Sequence, residues 1–283
     1  MQETTFNSAI QADGFVQFPN STLWLNQFYI EASLKKIDQS QINYLILQQI
    51  SFQQLEQNIF YSFKNKNLLI HSLTQSTFCY EMGFLASSSN ERLEFIGDSL
   101  LNLIVSKKLF HLFTDSAEGE LSKLRGALVN EEKLAELARS IGLGDYLFLG
   151  RGEFKSEGSQ KDSLLADSFE SLIAAIFLDS NEDLKVCENI FDQIVLQYEK
   201  SANTKYYSLM HLDLFDPKSA LQELTMSHHG MLPVYQAVEL SPQMGFLVQV
   251  KLGEKILGEM TGVSKKKVEK LLARKMIQEK RYL

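Results

Sequence analysis

The chain of 283 residues has two cysteines, Cys79 and Cys187, too few for a disulfide framework or a four-cysteine zinc site. No apolar run reaches the roughly 18 residues that a membrane-spanning helix requires, so we expect no membrane association. No basic residue precedes Lys35, and no Arg-rich presequence is present, which argues against secretory or organellar targeting. These absences favour a protein of the reducing cytoplasm.

Proline is absent between Pro19 and Pro217, which favours long uninterrupted helices there. Helical patterns are clearest at 91–113, 131–141 and 164–179, whereas the glycines between 142 and 160 predict a loop. The length suggests about two domains. We divide the chain into an N-terminal extension of unknown role, a helical domain, a linker and a second domain, at 1–50, 51–200, 201–214 and 215–283.

The charge of −7 is unevenly distributed. Residues 51–200 carry 14 basic and 23 acidic side chains, whereas residues 201–283 carry 12 basic and 8 acidic ones. An acidic body is therefore followed by a basic tail domain, and basic modules bind phosphates.

The tail domain has a pattern of its own. Asp216-Pro217 is typical of a helix start, and alternating or short apolar runs at 234–240, 246–252 and 255–260 predict strands. Ser264 is placed to cap a last helix. The predicted order is α-β-β-β-α.

Two apolar helical segments carry carboxylates at helical spacing. Glu91, Glu94 and Asp98 share one face of the first segment, and Asp167 and Glu170 share a face of the second. Exposed polar faces of amphipathic helices would explain them without any chemistry. Alternatively, since burying unpaired carboxylates is costly, the acids hold a hard divalent cation, Mg²⁺ or Mn²⁺ rather than zinc.

The segment Asn90–Leu101 closely resembles the signature of ribonuclease III family endonucleases. Three further segments resemble family motifs in the family order: Glu118–Arg125, Leu149–Glu153 and Ala166–Asp179. The resemblance covers about residues 52–283. It implies an all-α endonuclease domain followed by an α-β-β-β-α double-stranded RNA-binding domain.

The resemblance also implies roles for single residues. Glu94, Asp98, Asp167 and Glu170 would be metal ligands, with Asp98 and Glu170 the most sensitive catalytic positions. Glu91 and Glu118 match outer acids that shape the site and the valley in which RNA lies.

The implied activity is Mg²⁺-dependent hydrolysis of double-stranded RNA by a homodimer, with Mn²⁺ as a substitute ion. The products would carry 5′-phosphate and 3′-hydroxyl ends with short 3′ overhangs. Processing of ribosomal RNA precursors, messenger RNA and other structured transcripts follows by family analogy.

The tail domain resembles a double-stranded RNA-binding domain in three segments: Asp216–Glu223, Pro233–Tyr235 and Gly262–Glu269. Gln222 and Glu223 match positions that face an RNA minor groove, and Lys265, Lys266 and Lys267 lie at a helix N-terminus that favours phosphate.

The sequence departs from the family pattern at Met244 and Gln75, where histidine is usual, and at Val268, where alanine is usual. Two rival hypotheses remain: a non-catalytic RNA-binding relative that keeps the fold as a scaffold, and an acidic helical interaction protein whose tail binds another anion. The first predicts lost site carboxylates, and the second predicts no metal dependence and no preference for duplex RNA.

Overall fold

The computed structural model describes residues 38–208, 217–241 and 245–283. The helices of the first part are α1 (Gln39–Gln49), α2 (Gln53–Asn58), α3 (Lys66–Leu73), α4 (Ser76–Met82), α5 (Glu91–Leu112), α6 (Glu118–Leu128), α7 (Glu131–Ser140), α8 (Arg151–Lys155), α9 (Asp162–Asp179) and α10 (Leu184–Ala202). The elements that follow are α11 (Pro217–His229), β1 (Val234–Ser241), β2 (Gly245–Leu252), β3 (Lys255–Gly262) and α12 (Lys265–Gln278).

The predicted helices at 91–113, 131–141 and 164–179 are confirmed by α5, α7 and α9. The prediction of a loop throughout 142–160 is wrong, because this stretch contains α8 and two 3₁₀ turns. The Gly150 N–H donates to Thr77 Oγ1 (3.1 Å), and the Thr77 hydroxyl donates to Glu153 Oε2 (2.6 Å). Contacts distant in sequence therefore hold the short helix in place, and a local pattern does not reveal them.

Helix α9 is the centre of the helical part. It packs against α3, α5, α7 and α10. Leu165, Phe169, Leu172 and Ile176 are fully buried. An apolar side chain buried from water contributes about 1.5–3 kcal/mol, so this helix anchors the core.

The C-terminal end of α9 is tied to the loop before α3. Asp179 is buried, and its carboxylate accepts hydrogen bonds from the Tyr61 hydroxyl (2.7 Å), the Lys64 N–H (2.9 Å) and the Asn65 N–H (2.8 Å). Burial alone would raise the pKa of Asp179, but these bonds together outweigh it and lower the pKa, so the carboxylate stays charged inside the fold.

The predicted α-β-β-β-α order of the tail is confirmed. The three strands form one antiparallel sheet in the order β1-β2-β3, and α11 and α12 pack together, with α12 also against the sheet. Leu221, Val248, Val250 and Leu272 are fully buried in its core. Met244, Asp216 and the N-terminal residues 1–37 lie outside the described residues, so their predictions are not tested.

The described residues form two compact units. One comprises those of Met1–Leu112 and Leu128–Tyr206, and the other those of Phe113–Ala127 and Tyr207–Leu283. The domain boundaries drawn from the sequence stay a prediction. Within the described ranges, no helix combines the length and apolar character needed to cross a membrane.

Candidate metal centre

The two acid-bearing helices, α5 and α9, touch at the backbone. Gly97 of α5 is buried against Glu170 of α9, and a Cβ atom at Gly97 would lie 1.9 Å from the Glu170 carbonyl oxygen. Only glycine permits this approach. Since Glu94 and Asp98 flank Gly97, the crossing brings them beside the acids of α9.

The acids of the two helices feel each other's charge. Burial, followed by repulsion from Asp98, Glu94 and Asp167, raises the pKa of Glu170 to about 8. Burial, followed by repulsion from Asp167, Glu91 and Asp98, also raises the pKa of Glu94. The predicted ligands are therefore one electrostatic cluster.

Glu131 is a further acid that acts on this cluster, through Asp167. Burial raises the pKa of Asp167 to about 6, with additional repulsion from Glu131 and Glu91. Glu131 lies in the first turn of α7, within the same unit. Its position in the sequence does not mark it as a site residue, because acids in a first turn are explained by the helix dipole alone.

The centre is rich in oxygen and poor in positive charge. The charged groups that shift the pKa values of Glu94, Asp167 and Glu170 are all carboxylates. Carboxylate oxygens are the donors that Mg²⁺ and Mn²⁺ prefer, so the residues fit a hard divalent cation in charge and chemistry.

The side-chain positions of these carboxylates do not match a metal-binding group. Across the part of the chain that the structure describes, no group of three or more His, Cys, Asp or Glu side chains is placed to hold a metal ion.

Asp98 is exposed and has a local partner. Asn102, one turn later in α5, donates its side-chain amide to Asp98 Oδ1 (2.8 Å) and to the Asp98 carbonyl (2.9 Å). The amide restricts the rotation of a predicted ligand. The i, i+4 spacing of Asp98 and Asn102 is the sequence signal of this contact.

Glu118, the second predicted outer acid, begins α6 and belongs to the other unit. Its Oε1 accepts a hydrogen bond from the Ser122 hydroxyl (2.8 Å). Its role beside the acids of α5 and α9 stays a prediction.

The predicted RNA-binding lysines are accessible. Lys265, Lys266 and Lys267 are exposed in the first turn of α12, and Ser264 at the N-cap makes no side-chain capping bond. Positive side chains and free backbone N–H groups therefore meet at one helix end, which favours an anion.

The predicted minor-groove residues lie on α11. Gln222 is half-buried, whereas Glu223 is exposed. The Glu223 carboxylate forms an ion pair with Lys123, with 3.0 Å between Lys123 Nζ and Glu223 Oε1. An exposed ion pair of this kind contributes about 0–1 kcal/mol and is easily exchanged.

Comparisons with known proteins give a match for each of the two parts of the chain. A family model described as ribonuclease-III-like matches residues 65–197, and a double-stranded RNA binding motif matches residues 217–280.

Two curated relatives are matched over nearly their full lengths. Ribonuclease 3 from Campylobacter jejuni subsp. doylei is 37% identical over 233 residues, covering 79% of this chain and 95% of the relative. Ribonuclease 3 from Campylobacter fetus subsp. fetus is 40% identical over 227 residues, covering 79% and 96%. A solved nuclease domain of ribonuclease III from Campylobacter jejuni is 43% identical, covers 53% of this chain and 97% of that domain, and has a TM-score of 0.47.

Proposed function

Because this chain belongs to the ribonuclease III family, we propose that it is a metal-dependent endoribonuclease that hydrolyses phosphodiester bonds in double-stranded RNA. The products carry 5′-phosphate and 3′-hydroxyl ends with short 3′ overhangs. The observation that carries the proposal is the crossing at Gly97, where acids of α5 and α9 raise each other's pKa values.

Glu94, Asp98, Asp167 and Glu170 hold the cation, which is Mg²⁺ with Mn²⁺ as a substitute. When bound, a divalent cation supplies a deprotonated water and neutralises the charge on the leaving oxygen. Glu170 must lose its proton to bind, which its raised pKa resists near neutral pH. Asp98 is held by Asn102 on the exposed side of the cluster.

The second domain binds the duplex. Lys265, Lys266 and Lys267 contact phosphates at the N-terminus of α12, and Gln222 and Glu223 face the minor groove. Domains of this kind recognise A-form shape and 2′-hydroxyl groups more than sequence. The two domains thereby divide the work into cleavage and binding.

A second copy of the chain completes the enzyme as a homodimer. The supporting observation is an apolar face of α5 at helical spacing: the side chains of Phe95, Leu103 and Phe110 are 77%, 50% and 67% exposed. Exposed apolar faces of this kind mark interaction sites. Phe95 directly follows Glu94, so pairing there would bring the two sites close to the interface.

The oligomeric state can be measured by sedimentation equilibrium. Phe95→Asp should shift the dimer towards the monomer. The matched control is Leu196→Asp, which changes a 53% exposed leucine on α10 and should leave the dimer intact. A monomeric wild-type chain at micromolar concentration would refute this part of the proposal.

The activity is tested by digestion of an end-labelled RNA duplex with Mg²⁺, with Ca²⁺ and with a chelator, beside a single-stranded control. We expect short fragments from the duplex with Mg²⁺ alone. Glu170→Gln should abolish cleavage but preserve duplex binding, and the control Glu132→Gln, an exposed acid on α7, should cleave normally.

Binding without cleavage under conditions in which a ribonuclease III relative cuts would indicate a scaffold instead. In the cell, we propose cytoplasmic processing of ribosomal RNA precursors, messenger RNA and other structured transcripts. RNA sequencing of cells that lack the chain should then show accumulated precursors.

A further inference from the structure

Gln75, one of the three departures from the family pattern, lies in the core between α3 and α4. Its side chain is 4% exposed, and its amide Nε2 donates to the Ser168 hydroxyl of α9 at 2.7 Å. Ser168 directly follows Asp167, one of the proposed ligands. A buried bond between residues this far apart in sequence fixes one element against another.

The chemistry of this bond defines its direction. The Ser168 hydroxyl already donates to the Leu164 carbonyl at 2.7 Å, so its oxygen can only accept from Gln75. An amide N–H or an imidazole N–H satisfies it, whereas a carboxylate or an aliphatic side chain does not.

The residue before Gln75 holds the other acid-bearing helix. The Thr74 carbonyl accepts from the Asn90 N–H at 2.8 Å, immediately before α5 begins. The Asn90 carbonyl in turn accepts from the Ser171 hydroxyl of α9 at 3.1 Å. Thr74-Gln75 therefore contacts the start of α5 and the middle of α9 at once.

The bonds Gln75–Ser168, Ser171–Asn90 and Asn90–Thr74 together connect the Thr74-Gln75 segment, α9 and the start of α5 in one closed ring of contacts. Ser168 and Ser171 are fully buried and lie on one face of α9, and each directly follows a proposed ligand, Asp167 or Glu170. A slip of α9 by one residue would move its acids about 1.5 Å along the helix axis. Because such a slip would break these hydrogen bonds, they hold α9 in its position along the axis.

We propose that Gln75 is a positioning residue that, through Ser168, sets the register of α9 against α5 and hence the spacing of the four acids. This inference rests on the proposed metal site. Loss of the bond should raise the Mn²⁺ concentration needed for half-maximal thermal stabilisation by about 10–100-fold, as is typical for residues that orient metal ligands.

The test uses the full chain and four variants: Gln75→Leu, Gln75→His, Ser168→Ala and the double variant Gln75→Leu/Ser168→Ala. The first readout is thermal melting without RNA over a range of Mn²⁺ concentrations. The second is kcat and KM for duplex cleavage. Ser72→Ala is the matched control, since Ser72 is equally buried but donates to Leu69 within α3.

We expect Gln75→Leu to raise the Mn²⁺ concentration for half-maximal stabilisation and to lower kcat while leaving KM nearly unchanged. Gln75→His, which keeps an N–H donor, should have a Mn²⁺ requirement and a kcat close to those of the wild type. The double variant leaves neither partner unsatisfied, so its melting temperature without metal should approach that of the wild type while its Mn²⁺ response stays weak.

A normal Mn²⁺ response in the double variant would overturn the proposal and leave Gln75 a purely structural residue. If the wild-type chain neither binds Mn²⁺ nor cleaves duplex RNA, the proposed function itself has failed, and this inference falls with it. The wild-type measurements distinguish the two failures.

Discussion

Replacing Gly97 by alanine tests whether the contact between α5 and α9 builds the site. The new Cβ atom would lie 1.9 Å from Glu170 O, whereas ordinary contact begins at 3.4 Å. The helices must therefore separate by about 1.5 Å, because the opposing atoms are backbone and cannot rotate away.

The shift has a stability effect and a chemical effect. Overpacking costs about 3 kcal/mol at the upper end of its range, and alanine regains about 1 kcal/mol of helix propensity, which leaves a net loss of about 2 kcal/mol. A 1 Å misplacement of reacting groups lowers rates by about 100-fold. We expect Gly97→Ala to fold, to bind duplex RNA normally and to cleave at least 100-fold more slowly.

Chemical denaturation, duplex binding and single-turnover cleavage measure these three quantities. Gly152→Ala is the matched control, because Gly152 lies in α8 with open space where its Cβ would be. It should cleave normally. Wild-type cleavage by Gly97→Ala would refute the reasoning that backbone contact between the helices sets the acid spacing.

Three further predictions concern charge. The pKa of Glu170 is raised to about 8, so its protonation stabilises the metal-free fold at low pH, and we expect the melting temperature in chelator to fall as the pH rises towards and through 8. Glu131→Gln removes a charge that repels Asp167, and should raise the melting temperature without metal while weakening the stabilisation by Mn²⁺. Exchanging both Lys265 and Lys266 for alanine should weaken duplex binding and reduce its salt slope by about two.

Each of these three predictions has a control variant or a result that would contradict it. Glu170→Gln should flatten the pH dependence, and a melting temperature that rises with pH would contradict the assigned pKa. Glu132→Gln, on the neighbouring exposed position, should match the wild type. Duplex binding by the double lysine variant with the wild-type salt slope would exclude phosphate contacts at the start of α12.

Elements with strong local patterns could be predicted from the sequence. Apolar periodicity and the absence of proline sufficed for α5, α7 and α9, and alternation sufficed for the strands. Helix α8 could not be found in this way, because Thr77, far away in sequence, binds both Gly150 and Glu153.

In the site, too, some features follow from local sequence patterns and others depend on contacts between residues distant in sequence. Spacing along one helix pairs Glu94 with Asp98 and Asp167 with Glu170, but no local pattern states that the two pairs meet. That depends on the space which Gly97 leaves for Glu170. Glu131 was missed for a related reason, since its effect on Asp167 arises from packing between α7 and α9.

The central place of α9 bears on the order in which the chain becomes structured during synthesis. Helices α3, α5 and α7 all precede α9 in the chain, and all pack against it. Their apolar faces thus have no common partner until α9 has left the ribosome. At about 5–20 residues per second, the interval between the synthesis of α5 and of α9 lasts several seconds. During that interval their apolar faces lack this partner, and neither the core nor the acid cluster can be complete before α9 is made.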